Sequence, residues 1–235
     1  MPPALILLIQ QIFWRTPLGA VLQGIVLGLL TSLVALGIVL IYRSNRVSNF
    51  AQGELGLLPT ILAVMLIVES GFPYLVALLL GLIASLLLGV SSEFLVIRRF
   101  TRSPRLVLTV ATLGLAQILV MFALLMPGWW GSGVTSQRID SPLGVQFDFA
   151  KFRFNDNHLI VLIVVPLILL AVGIFLQRTK TGVGIRAVAE DFDRAGMLGI
   201  PVRRLQSFVW ALAALLAFVA LFLRSSIIGL PVGGQ

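Results

Sequence analysis

Long apolar runs alternate with short polar ones along the chain. Leu18–Tyr42, Leu55–Val68, Tyr74–Ile97, Leu106–Met126, Leu159–Gln177 and Leu205–Leu223 are almost wholly aliphatic and aromatic. A helix crosses the hydrocarbon core of a bilayer with ~20 such residues, so the pattern predicts about six transmembrane helices. The runs are continuous rather than alternating, which excludes an outer-membrane barrel. The expected fold class is all-α, a polytopic helical membrane protein. Pro2–Trp14 is apolar but too short to span. Residues 1–17 are therefore expected along the membrane interface, anchored by Trp14 and Arg15, with the transmembrane domain in 18–235. The first thirteen residues lack a basic start and a small-residue cleavage site, so a cleavable signal is not expected.

One run is anomalous. Leu55–Val68 has 14 residues, ~21 Å of helix, against a core of ~30 Å. To cross, this helix must begin earlier and draw Asn49, Gln52 and Glu54 toward the membrane. The preceding stretch, "IYRSNRVSNFAQGELG" from Ile41 to Gly56, thus reads two ways. It is a cytoplasmic loop before a short tilted helix, or it is polar machinery at a helix break inside the bundle.

Composition narrows the function classes. The chain is 59% hydrophobic and 11% charged, with mean hydropathy +1.07, where soluble domains carry about 25% charged residues. No separable soluble domain is present. Cysteine is absent and His158 is the one histidine, which leaves no clustered histidine metal site, no disulfide framework and no thiol chemistry. No cofactor is expected. The net charge of +8 does not imply nucleic acid, because lysine and arginine mark cytoplasmic loops in such proteins. The loops 43–54, 98–105 and 178–204 hold 12 of the 17 basic residues. That places these three loops inside, and the loop 128–157 and both chain ends outside.

Small residues mark packing faces. Ala77, Gly81, Ser85 and Gly89 form a row at spacing four, and Gly24 and Gly28 form a GxxxG pair; both are expected to let helices approach closely. Trp129 and Trp130 read as interfacial anchors, His158 as the start of a span at the water boundary, Glu93 as a membrane-edge partner of Arg98 and Arg99, and Pro166 as a kink.

The loop 178–204 reads "RTKTGVGIRAVAEDFDRAGMLGIPVRR". Ile185, Val188, Phe192, Ala195 and Leu198 recur at helical steps, with Arg186, Glu190, Asp193 and Arg194 opposite. Arg186/Glu190 and Glu190/Arg194 are spaced to pair, and Gly199 followed by Pro201 stops the helix. Such an amphipathic helix packs on the membrane surface, caps its own bundle or docks into a partner. The acidic cluster Glu190–Asp191–Asp193 argues against anionic lipid and for a helix-in-groove contact.

Two stretches, "LVALGIVLIYRSNRVSNFAQGELG" (33–56) and "TKTGVGIRAVAEDFDRAGMLGIPVRRLQSFVWALAALLAF" (179–218), resemble the permease subunits of branched-chain amino acid ABC importers. In the first, Asn49, Phe50, Ala51, Gly53 and Glu54 match the family motif, and Gln52 replaces its histidine. In the second, Arg186, Ala187, Glu190, Asp191, Ala195, Leu198, Gly199 and Ile200 fall on the pattern. Residues 93–119 match more loosely, and the resemblance covers roughly 20–223. It implies a mechanism. Two permeases pair, as a homo- or heterodimer, each docks on a cytoplasmic ABC ATPase, and an extracytoplasmic binding protein delivers substrate. It makes Ile185–Ile200 the coupling helix, with Ile185, Arg186, Val188, Glu190, Asp191, Phe192, Ala195, Leu198 and Gly199 as coupling residues. Asn49, Gln52 and Glu54 then line or brace the inner end of the pathway, or Glu54 pins Arg43 or Arg46. The chain has no Gly-x-x-x-x-Gly-Lys-Ser/Thr loop, so ATP hydrolysis is expected on a separate subunit. Arg43 and Arg46 stand where many family members have glycine, and Gln52 has no titratable group. The family pattern continues beyond the last residue here, so the family bundle is expected to be incomplete at the C-terminus. Related permeases carry urea or short amides, which stays open as an alternative. An ATP-independent channel or scaffold is a further alternative; a membrane enzyme lacks a nucleophile–base pair.

Overall fold

The computed structural model describes residues 18–100, 103–131, 146–149 and 152–229. The segment 1–17, read as interfacial, lies outside them. Eight α-helices are present among the described residues: α1 Leu18–Asn45, α2 Gln52–Val68, α3 Tyr74–Leu95, α4 Arg105–Leu125, α5 Asp156–Arg178, α6 Lys180–Glu190, α7 Phe192–Met197 and α8 Val202–Ile228. Five of them, α1, α3, α4, α5 and α8, are long and apolar enough to cross a membrane, and α2 is a shorter apolar helix. The protein is an all-α, multi-pass membrane protein, as the run pattern predicts. In a bilayer interior every backbone group must find its partner within the chain, and helices do this for apolar runs of this length.

One addition lies outside the bundle. In the loop between α4 and α5, Gln146–Phe149 and Phe152–Asn155 pair as an antiparallel β-hairpin, β1 and β2, with Phe147 opposite Phe154.

The bundle is built around α8. Its membrane window is 67% buried, against 17–33% for the other long helices. The reason is its alanines: Ala211, Ala213, Ala214, Ala217 and Ala220 are all buried and let neighbours come to backbone distance. On α3, the row Ala77, Gly81, Ser85 and Gly89 is buried against α8. A methyl group at Gly89 would lie 2.6 Å from the Trp210 carbonyl, and one at Gly81 would strike the Phe218 ring. The two helices run antiparallel, which carries Tyr74 to Phe222, ring centroids 5.4 Å apart. Leu75, Leu79, Ile83, Leu87, Ile163, Leu167 and Leu170 face outward and are exposed, an apolar outer surface of the kind a bilayer requires.

Gly24 and Gly28 correct the packing expectation. They lie on the exposed side of α1, and a methyl group at either would meet nothing within 4 Å. α1 packs instead through Val26, Leu30, Leu33, Leu40 and Ile41. The spacing of a small-residue pair makes a smooth face but does not say what covers it.

Asp156, Asn157 and His158 open α5, so His158 stands at the start of a span as expected, and all three are buried. The Asn157 side-chain amide donates to the Ser226 carbonyl at 3.1 Å, tying α5 to α8. The Trp130 indole reaches the Ser70 hydroxyl at 3.3 Å, while Trp129 is exposed as an interfacial anchor would be. Pro166 lies inside α5.

Candidate functional site

Of the polar stretch before α2, Ser44, Asn49 and Gln52 are buried inside the bundle, while Arg43, Arg46 and Ser48 are exposed. Gln52, the first residue of α2, is 2% exposed. Its side-chain nitrogen donates to the Ala213 carbonyl of α8 at 2.9 Å and lies against Gly37 of α1. Its side-chain oxygen accepts from Asn49 at 3.4 Å, and the Asn49 oxygen in turn accepts from the Ala51 amide at 3.0 Å. The Phe50 amide donates to the Thr112 hydroxyl of α4 at 3.3 Å. Gly37 stands eight residues before the end of α1, Thr112 seven residues into α4 and Ala213 eleven residues into α8. At 1.5 Å per residue these positions are roughly 10–16 Å from the helix ends that meet the loops 43–54, 98–105 and 178–204. The chain therefore leaves α1, re-enters the bundle through residues 46–51 and starts α2 at depth. This explains how a helix of 17 residues serves where its neighbours need more. Of the two sequence readings, the helix break inside the bundle is the observed one.

Buried amides at this depth are tolerable because they are hydrogen-bonded to each other and to backbone. Asn49 and Gln52 thus brace the turn. Glu54, on the first turn of α2, is half-buried, where the positive end of the helix dipole favours a carboxylate. Two features of α2 were not singled out in the sequence. Gly56 lies against the backbone of Ala217, so α2 and α8 touch main chain to main chain. Pro59, buried within α2, has no N–H to give the Leu55 carbonyl, which loosens the helix one turn after its start.

The loop 178–204 folds as two helices, not one. Thr179 caps α6 by accepting from the Gly182 amide at 3.0 Å. The chain then turns extended at Asp191 (φ −150, ψ 110). The Asp191 carboxylate accepts from the Arg194 amide at 3.0 Å and so opens α7. Gly199, with φ 77, ends α7. The break shifts the helical phase. Ile185, Val188 and Ala195 are buried in the chain's own core, so this part of the stripe caps the bundle. Leu198, expected on the same stripe, is 80% exposed, beside Met197 at 85%. The expected pairing also changes: Arg194 joins Asp191 at 3.1 Å, and Arg186 reaches back to the Gln177 carbonyl at 3.4 Å. Phe192 opens α7. Glu190 is exposed at the end of α6.

Arg46 joins the two motifs. Its guanidinium donates to the Ala189 carbonyl and, at 3.2 Å, to the Glu190 carbonyl. These are orphan carbonyls at the C-terminus of α6, where a cation is favoured. Arg46 is thus taken up by backbone rather than by Glu54. It is also the one non-glycine residue with positive φ, 56°, among the described residues. That conformation costs a side-chain-bearing residue about 1–2 kcal/mol. Here it aims the guanidinium at α6. Arg46→Gly and Arg46→Ala both lose the link, but only alanine keeps the strain. Thermal unfolding should therefore place Arg46→Ala below Arg46→Gly by about 1 kcal/mol.

A second tie closes the same end. Glu93, 2% exposed on α3, accepts from Arg98 at 3.2 and 3.0 Å and from the Ser207 hydroxyl of α8 at 2.7 Å. This is the membrane-edge ion pair expected from the sequence, with Ser207 as an added member and Arg99 left out of it.

The family described as "Branched-chain amino acid transport system / permease component" matches residues 20–229. A probable branched-chain amino acid transport permease protein LivH of Methanocaldococcus jannaschii is 32% identical over 211 residues, 85% of this chain and 64% of its own length. The high-affinity branched-chain amino acid transport system permease protein LivH of Escherichia coli is 25% identical, covering 84% of this chain and 67% of the relative. BraD of Pseudomonas aeruginosa, named likewise, is 24% identical, covering 86% and 69%. The chain thus spans about two thirds of the length of these relatives. No solved structure matches it. The match to residues 20–229 takes in the buried turn at Asn49 and Gln52, the α6–α7 elbow and the helix that packs them together, and on that extent the chain belongs to the family of branched-chain amino acid transport permease components.

Proposed function

We propose that the chain is the membrane-spanning permease subunit of an ATP-driven importer of branched-chain amino acids in the cytoplasmic membrane. The observation that carries this reading is the Arg46 link between the α6 C-terminus and the turn that starts α2. It gives a route from a cytoplasmic docking element to a polar break within the bundle. In this reading a separate ABC ATPase holds α7 and the turn after it. ATP-driven closure moves the α6–α7 elbow, Arg46 passes the movement to residues 46–51, and α2 shifts against α8. Gln52 and Asn49 position that turn, and Glu54, the least enclosed of the three, faces the route. A second permease copy or homologue completes the pathway, and an external binding protein supplies substrate. The names of the relatives support amino acids over urea or short amides.

The test is uptake by the whole system. Proteoliposomes holding the full-length permease, its ATPase and its binding protein should take up labelled leucine when ATP is enclosed. Urea should not compete. Uptake that ignores ATP would sink the importer reading and leave a channel; competition by urea at equal concentration would change the substrate class.

A further inference from the structure

We infer that the cytoplasmic end of the bundle holds a binding site for the phosphate group of an anionic phospholipid. Below the Arg46 link a cleft of about 970 Å³ opens between the ends of α1, α3, α6 and the start of α8, at the upper end of the range for small-ligand sites. Arg46, Arg98, Arg99 and Arg203 line it, facing Glu190 and Asp191. The charges do not cancel. Glu93 neutralises Arg98, and Arg194 holds Asp191. Arg46, Arg99 and Arg203 remain against Glu190. Among the described residues the Arg99 and Arg203 side chains have no carboxylate or carbonyl partner, and both are exposed. A second observation points to a ligand. Gln206 lines the cleft, is 5% exposed, and its side-chain amide has no hydrogen bond among the described residues. Its amide atoms remain accessible from the cleft, so a ligand there meets both a donor and an acceptor.

Two arguments select a lipid over a soluble anion. The cleft lies where the basic loops face the cytoplasmic leaflet, whose anionic lipids attract such residues. Exposed Phe94, Leu95 and Phe100 flank Arg98 and Arg99 in the chain, with the Phe94 ring 4.9 Å beneath the Arg98 guanidinium. An acyl chain lying on these residues would place its phosphate among the arginines. Guanidinium groups suit phosphate oxygens through paired N–H donors, and the Gln206 amide can donate one more.

The probe is dioleoylphosphatidylglycerol, titrated into the detergent-purified full chain, with dioleoylphosphatidylcholine and inorganic phosphate as comparisons. Phosphatidylglycerol in hundredfold excess over its Kd should raise the melting temperature by roughly 5–10 °C. Phosphatidylcholine and millimolar phosphate should not. Arg99→Gln/Arg203→Gln, which breaks no internal bond, should weaken phosphatidylglycerol binding roughly thirtyfold. Gln206→Leu should weaken it severalfold. Arg43→Gln/Arg178→Gln, which removes two charges from the same side outside the cleft, should leave it unchanged. The site is overturned if the two double variants lose binding equally, or if Arg99→Gln/Arg203→Gln binds like wild type. It is overturned too if free phosphate stabilises as well as the lipid. If Arg99→Gln/Arg203→Gln keeps the lipid and instead loses the ATPase from the purified complex, the cleft belongs to the partner protein. Leucine uptake in proteoliposomes of neutral lipid alone separates this site from the importer reading, which does not need it.

Discussion

A leucine at Gly56 is expected to prevent α2 from seating on α8 and to lower stability by more than ~3 kcal/mol. A β-carbon at Gly56 would lie 2.7 Å from the Phe218 amide nitrogen and closer still to the Ala217 carbonyl. These are main-chain atoms in the middle of a helix and have no rotamer to escape into. Overpacking against movable side chains costs about 1–3 kcal/mol, and a backbone obstacle exceeds that. Any outward shift of α2 also pulls Gln52 from Ala213, one helical turn away, leaving buried amides short of partners. In a chain of this size the effect corresponds to a fall of roughly 6–12 °C or more in melting temperature. Gly24→Leu is the matched comparison. It adds the same bulk to a transmembrane glycine with open space around it, and the expected change is within ~0.5 kcal/mol. Equal melting of the two variants would mean that α2 does not lie against α8 as described.

This contrast also shows what the sequence could disclose. Aliphatic runs located α3 and α4 to within a residue or two, because a bilayer demands apolar residues for a set length and the run has visible ends. The spacing-four row of α3 disclosed a packing face. The same rule failed at Gly24 and Gly28, because the partner of a smooth face is set by the third dimension. The start of α2 was hidden for a related reason. Hydropathy scores Gln52 and Asn49 as loop residues, yet buried partners on α8, and each other, make them stable at depth. A short apolar run next to amides was the signal, and it left two readings standing. The alanines of α8 were visible too: "WALAALLAF" has small residues on more than one face, as a central helix requires. In the cytoplasmic loop the apolar spacing continued smoothly across Asp191. Periodicity alone could not reveal a break there, although an aspartate before a new helical turn is a capping signal. "QFDF" and "FRFN" alternate as strands do, but each is only 4 residues long, too short for alternation to stand out within the loop 128–157.

The second large effect is expected at the tip of the elbow. On the proposed function, Met197→Glu/Leu198→Glu should abolish co-purification of the proposed ATPase partner while leaving the melting temperature of the chain unchanged. Ile185→Glu should do the reverse of the stability half and lower the melting temperature sharply. The phase change at Asp191 sends the two halves of the apolar stripe to different surroundings. Ile185 and Val188 are already buried in their own bundle and cannot contact a partner without unfolding α6. Met197 and Leu198 are large apolar side chains almost wholly in water at the far end of α7. They stand on a tight turn closed by bonds from Gly199 to Gly196 and from Ile200 to Ala195, each 3.1 Å. A rigid knob of two apolar side chains suits a groove, where anchors of this kind carry about 2 kcal/mol or more each. Two buried carboxylates in their place would weaken binding by over a thousandfold. Reversing the acidic edge with Glu190→Arg is expected to change the rate and salt dependence of docking more than its strength, since that side chain sits at the exposed rim. Retention of the ATPase by Met197→Glu/Leu198→Glu, with loss in the Glu190 variant, would move the contact from the knob to the acidic edge and make the exposed apolar pair an interfacial anchor instead.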